Sequence, residues 1–194
     1  MTLKYEIKFL DYWHLGSGLS AGAKLDSSVT KDSEGIPYAS GKTIKGLVRE
    51  MALELNYECE FLDRCFGTTS DKDDKCYREE PKTKDKNGKQ IYTKCYFANA
   101  TLDDAIHTEI TTNKLQDNLY DVIASTKIDE NGIAVDNSLR EIEVVVPLTL
   151  YGEIDDLPDQ YKDQMIHALR MIKRVGLNRN RGLGRCEFAV KEQR

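Results

Sequence analysis

Ile142-Glu143-Val144-Val145-Val146-Pro147-Leu148-Thr149-Leu150-Tyr151 is the stretch on which the fold turns. It is the strongest strand signal in the chain, rich in β-branched residues. A helical pattern follows it: Pro158-Asp159 opens the helix, and Tyr161, Met165, Ala168, Leu169 and Ile172 lie along one face. The loop Gly176-Leu177-Asn178-Arg179-Asn180-Arg181-Gly182-Leu183-Gly184-Arg185 then leads to a short strand over Cys186 to Lys191. The first half of the chain carries strand and helix signals of its own, without a convincing internal repeat. Leu3, Tyr5, Ile7 and Phe9 alternate with Lys4, Glu6 and Lys8, which predicts a half-buried strand over residues 3–10. Ile44, Leu47, Val48, Met51 and Leu55 recur at helical spacing through residues 42–56, with Lys42, Lys45 and Arg49 on a different face. Cys95-Tyr96-Phe97-Ala98 returns to strand-like sequence.

Two segments interrupt the pattern. Residues 57–95 are dense in Asp, Lys, Glu and Cys and poor in apolar side chains, which predicts an insertion. Residues 106–140 carry few large apolar side chains and contain Asp129-Glu130-Asn131-Gly132, a turn signal between two short arms. Strand, helix, long middle section, strand, helix and strand, with both helices on one face of an antiparallel sheet, predict an α+β, ferredoxin-like core in a single domain over 1–194.

Composition limits the function classes. An apolar fraction of 40% suffices for a core. The N-terminus lacks a basic start followed by an apolar stretch, and the longest apolar segment is short and holds a proline. A cytoplasmic protein is expected. In that setting, five irregularly spaced cysteines read as reduced thiols or metal ligands, not a disulfide framework. The net charge is −5, but residues 166–194 carry eight Lys or Arg and two acids. A basic end on an acidic body is where a phosphate-bearing partner would sit.

Tyr38-Ala39-Ser40-Gly41-Lys42-Thr43-Ile44-Lys45-Gly46 opens the first helix, where free N–H groups and the helix dipole favour an anion. Ser40, Lys42, Thr43 and Lys45 add donors. Gly41-Lys42-Thr43 is not a P-loop, because Ile36 stands where that motif needs glycine. In the loop 176–185, glycine lets backbone approach a ligand, and Arg179, Arg181 and Arg185 supply forked donors matched to phosphate.

Taken together, Ile36-Pro37-Tyr38-Ala39-Ser40-Gly41-Lys42-Thr43-Ile44-Lys45-Gly46-Leu47-Val48-Arg49 and Asn178-Arg179-Asn180-Arg181-Gly182-Leu183-Gly184-Arg185 resemble hallmark segments of the RAMP superfamily, nearest to the backbone subunits of type III CRISPR effector complexes. Cys65-Phe66-Gly67, Asn99-Ala100-Thr101-Leu102 and Ser138-Leu139-Arg140-Glu141-Ile142-Glu143-Val144-Val145 fit the same pattern in the same order. The resemblance implies a modified RRM-like core that binds CRISPR RNA and complementary target RNA alongside other subunits, further copies of itself among them. It implies a protruding hairpin, the thumb, around residues 120–142, whose apolar tip (Ile128, Ile133, Val135) wedges between bases. It also implies cutting of target RNA with a divalent ion, Mg²⁺ or Mn²⁺, through Asp26 in Lys24-Leu25-Asp26-Ser27-Ser28-Val29-Thr30-Lys31-Asp32. Ser28 departs from the proline expected there, and Asp32 reads as a turn residue.

Cys59, Cys65, Cys76 and Cys95 fall within or beside the insertion, where a structural Zn²⁺ would supply a fold that the segment lacks. Without a CxxC pair, free cysteines remain open, with Cys65 and Cys95 packed beside Phe66 and Tyr96. Cys186 begins a strand and reads as core. His14 follows the first strand and reads as an RNA contact or a structural residue. Two alternatives stay open: a non-cutting RNA scaffold of the same complex, and a transcript-processing endoribonuclease that uses His14 as a general acid–base.

Overall fold

The computed structural model describes residues 1–16, 18, 27–77 and 95–190. Strand β1 (Leu3–Phe9) pairs with a strand on each side and turns one face to the core and one to water. Leu3, Tyr5, Ile7 and Phe9 are buried on one face, while Lys4 and Lys8 face water on the other. Helix α1 (Gly41–Glu54) follows, then α2 (Cys59–Phe66), the two-residue strand β2 (Tyr96–Phe97), α3 (Asp104–Thr112), β3 (Tyr120–Ser125), β4 (Arg140–Val145), β5 (Thr149–Asp155), α4 (Lys162–Met171) and β6 (Cys186–Val190).

Two sheets result. The larger has the order β2-β5-β1-β6, with every neighbouring pair antiparallel. Helices α1 and α4 pack on each other, and α4 also packs on β6. Their buried residues, Ile44, Val48 and Ala52 on α1 and Met165, Ala168 and Leu169 on α4, share one core with the inner face of β1. This is an α+β arrangement of mixed helix and antiparallel sheet. The second sheet is the hairpin β3–β4, in register from Tyr120↔Val145 to Ser125↔Arg140.

The apolar run 142–151 is not one strand. Its first part belongs to β4 and its last to β5, with Pro147 between them. Proline has no N–H for a ladder and fixes φ, so the run is broken there and its halves enter different sheets. Trp13 holds the junction: it bridges Val145, and its indole N–H donates to the Val146 carbonyl at 3.2 Å.

Two helices appear where an insertion and a polar segment were expected. The predicted insertion opens with α2, whose Phe61, Leu62, Cys65 and Phe66 are buried in the main core. Its apolar residues are few, but all are on one face. Residues 78–94 of the same segment lie outside the described residues. In α3 no residue is buried, so no periodic signal marked it. Asp103 starts it by accepting from the Ala105 N–H at 3.1 Å.

Candidate nucleic-acid interface

The loop 176–185 is seated on the segment that follows β1. The Leu177 N–H donates to the His14 carbonyl at 2.9 Å, and the Gly184 N–H donates to the Tyr12 carbonyl at 2.8 Å. Gly176 has φ +95°, and a Cβ there would stand 2.1 Å from the His14 oxygen, so only glycine closes this contact. At Gly182 (φ +92°) a Cβ would meet nothing within 4 Å, which leaves the loop crest bare. The three arginines differ. Arg179 pairs with Glu50 of α1 at 3.5 Å, and Arg185 pairs with Asp11 at 3.2 Å. Arg181 is exposed, with no ion pair among the described residues.

The start of α1 is more occupied than its sequence suggested. Ser40 caps the helix by accepting from the Thr43 N–H at 3.2 Å, and the two hydroxyls share a hydrogen bond. The Gly41 N–H donates to Asn99 Oδ1 at 2.9 Å, and a Cβ on Gly41 would stand 1.9 Å from the Phe97 carbonyl oxygen. Gly41 is thus a packing glycine against β2, and two of the N–H groups expected to cradle phosphate already have partners. Lys42 is exposed, and Lys45 reaches over the Phe97 ring, 5.9 Å from its centroid. Arg49, expected on RNA, has its guanidinium on Asp74. Gly46 is exposed, and a Cβ there would meet nothing within 4 Å. Lys42, Gly46 and Glu50 repeat every four residues, so an open strip of α1 runs from Lys42 to the Arg179 loop.

Beyond the hairpin strands, residues 126–139 form a tip ordered by short polar side chains. Asp129 accepts from the N–H groups of Asn131 and Ile133, both at 2.9 Å. Ser138 accepts from the Lys127 N–H at 3.0 Å and meets Thr126 Oγ1 at 2.7 Å. Ile128 and Ile133 are 61% and 64% exposed, and Val135 is also exposed. Leu139, 63% exposed, joins them and was not singled out from sequence.

The side chain of His14 is buried and both ring nitrogens have partners, which fits a structural role better than an RNA contact or a general acid–base. Nδ1 lies 2.6 Å from the Glu143 carbonyl, which can only accept, so Nδ1 carries the proton. Nε2 lies 3.0 Å from the Ser27 hydroxyl oxygen. Glu143, also buried, accepts from the Val29 N–H at 3.0 Å and from Lys31 Nζ at 2.7 Å, and Lys31 stands over the Tyr120 ring. Loop 27–36 is thereby fixed to the base of the hairpin. Asp32 is a turn residue: it accepts from the Glu34 and Ile36 N–H groups at 2.9 Å, and His107 Nε2 lies 3.1 Å away. Asp26, one residue before this fixed loop, lies outside the described residues.

The four-thiol zinc set is not assembled. Cys59 and Cys76 are joined by a disulfide, with Cα atoms 5.3 Å apart. Cys65 and Cys95 are buried free thiols, and the Cys95 N–H donates to the Cys65 carbonyl at 3.1 Å. No group of three or more His, Cys, Asp or Glu among the described residues could hold a metal ion. Two pairs at different ends of α2 replace the single tetrahedron, and Cys59 and Cys76 are not the free thiols expected. Cys186 is core, its thiol pushed up to about 12 by burial.

An α+β core that presents a glycine–arginine loop, an open helix strip and an apolar hairpin tip defines the class. The chain belongs to the RAMP superfamily, whose family model matches residues 6–187. Its fold is similar to that of a chain in the cryo-EM structure of the type III-B Cmr-beta bound to cognate target RNA (TM-score 0.68, 10% identity, covering 98% of this chain and 97% of that one). A chain of the same Cmr-beta in the apo state superposes with a TM-score of 0.70, at 10% identity and the same coverage. No curated protein matches the sequence.

Proposed function

We propose that this chain is a CRISPR RNA-binding backbone subunit of a type III effector complex, and that it cleaves bound target RNA through Asp26. The observation that carries the binding half is the loop 176–185 beside the open strip of α1. Arg181 has no ion pair among the described residues, and Gly182 and Gly46 leave room for a sugar–phosphate chain to approach. The family match over residues 6–187 and the likeness to chains of the Cmr-beta complex support the same reading. In it, the four-stranded sheet with α1 and α4 is a ferredoxin-like, modified RRM-like core. The hairpin around 120–142 is the thumb, and Ile128, Ile133 and Val135 touch bases. CRISPR RNA, target RNA, other subunits and further copies of this chain are its partners, in the cytoplasm. No helix among the described residues is long and apolar enough to cross a membrane.

For cleavage, Asp26 would orient the 2′-hydroxyl toward the adjacent phosphate. A bound divalent ion, Mg²⁺ or Mn²⁺, would supply charge stabilisation at the phosphate. His14, Ser27 and Glu143 would act indirectly, by fixing the loop that begins at Ser27. The deciding experiment is to purify the chain with its bound nucleic acid and sequence it. Short RNAs sharing a repeat-derived tag are expected. No co-purifying RNA and no affinity for single-stranded RNA at low salt would overturn the reading. Asp26→Ala separates cutter from scaffold: it should abolish cutting and leave binding intact.

A further inference from the structure

Arg49 belongs by sequence to the basic face of α1, yet its guanidinium is turned onto Asp74, whose side chain is only 5% exposed. Asp74 sits in the turn 71–77, which among the described residues is tied to the rest of the molecule by few side-chain bonds and by the buried Cys76. Lys75 Nζ donates to Asn56 Oδ1 at 2.9 Å across an exposed surface. The bonds from Asp71 to Asp73 and from Thr69 to Asp71 are internal to the segment. The covalent tie is the bond from Cys76 to Cys59, the first residue of α2. It bears directly on the ion pair, because the Cys76 N–H donates to Asp74 Oδ1 at 2.8 Å while Asp74 Oδ2 takes Arg49. The cysteine thus fixes the carboxylate that occupies the arginine.

We propose that Cys59–Cys76 is a reversible thiol–disulfide site that sets whether Arg49 is available to RNA phosphate. The proposal rests on the RNA-binding reading above. The chemistry is exchange with a dithiol reductant: its thiolate attacks, the Cys59–Cys76 bond breaks, and a mixed disulfide forms. The second thiol of the reductant then closes on the first, leaving two cysteine thiols and the oxidised reductant. Two electrons and two protons pass to the protein. Cys59 is half-buried whereas Cys76 is buried, so attack falls on Cys59. With the bond open, turn 71–77 keeps, among the described residues, the exposed hydrogen bond, the packing of Cys76 and the ion pair itself. A polyanion then competes with one carboxylate for a guanidinium that binds phosphate in forked geometry.

The test uses the full chain and a single-stranded RNA oligonucleotide, titrated over a range of salt with and without dithiothreitol. Thiol alkylation and mass analysis report the state of Cys59 and Cys76. Reduction should tighten binding at low salt and steepen the slope of log K against log salt by about 0.7, the value of one added phosphate contact on a single strand. The Cys59→Ser, Cys76→Ser double variant should bind as the reduced chain does, whatever the reductant. Arg49→Gln should abolish the difference between redox states. RNA binding that is equal in both states, or full alkylation of Cys59 and Cys76 without reductant, overturns the switch and leaves the RNA-binding reading standing. Absence of RNA binding in both states overturns both.

Discussion

Tyr5 and Gly176 show how single residues are constrained. Tyr5 is buried in β1, and its hydroxyl has no hydrogen-bond partner among the described residues. Burial alone raises its pKa well above the ordinary tyrosine value. Removing an unpaired buried hydroxyl while keeping the ring should stabilise, so Tyr5→Phe is expected to gain about 1 kcal/mol in urea unfolding. Gly176 and Gly182 both have positive φ, but only Gly176 faces backbone at 2.1 Å. Gly182→Ala should cost about 1–2 kcal/mol, the penalty of a side chain in that conformation. Gly176→Ala should cost more, because the His14 carbonyl must also move. Equal melting temperatures for the two variants would refute the seating of the loop on His14. The sequence marked both glycines as loop residues but could not rank them, because the neighbour that decides the matter is 162 positions away in the chain and close only in the fold.

At the scale of elements, strands and helices with a strict apolar period were legible. β1, α1, α4 and β6 follow from alternation or helical spacing, and the hairpin follows from Asp129 to Gly132. What escaped had another cause in each case: Pro147 splits one apolar run between two sheets, α2 is short, and α3 buries nothing. The site was legible in part. The glycine–arginine loop and the apolar tip were found. The ties that occupy Arg49, Gly41 and His14 were not, because Asp74, Asn99 and Ser27 are distant in sequence from the residues they hold. α3 owes its position to loop 27–36 through Asp32 and His107. Burial tends to raise the Asp32 pKa, but the Ile36 N–H, His107 and the Glu34 N–H outweigh it, and the net shift is downward. A carboxylate with a depressed folded pKa contributes stability above its unfolded value and loses it as pH falls through the folded one. Asp32→Asn should therefore destabilise at neutral pH and lose less stability than the wild type on acidification from pH 6 to pH 3. Parallel melting curves across that window would argue against the clasp. The hairpin tip makes the opposite expectation. Ile128→Ser with Ile133→Ser should leave stability within about 0.5 kcal/mol, since both are surface positions. It should weaken engagement of a guide–target duplex, as read by fluorescence of a base analogue placed in the target strand.

For the whole molecule the question is how an acidic chain would hold the polyanion proposed for it. The chain totals −5, so long-range attraction is weak, and on the proposed reading binding would come from a few cations at short range. Three arginines in the loop do not contribute equally. Among the described residues Arg181 has no ion pair, Arg179 is shared with Glu50, and Arg185 with Asp11. Both shared pairs are surface pairs, so each is worth little and phosphate can displace the carboxylate at modest cost. Arg181→Gln should lower the slope of log K against log salt by about 0.7 on single-stranded RNA, the loss of one full phosphate contact. Arg179→Gln should lower it less, because the guanidinium must first leave Glu50. Glu50→Gln should act in the reverse sense, tightening binding by freeing Arg179 and removing a negative charge from the open strip of α1. A Glu50→Gln chain that binds RNA more weakly than wild type would mean that the Arg179–Glu50 pair shapes the loop and does not compete with RNA. The phosphate path would then have to be sought away from this face of α1.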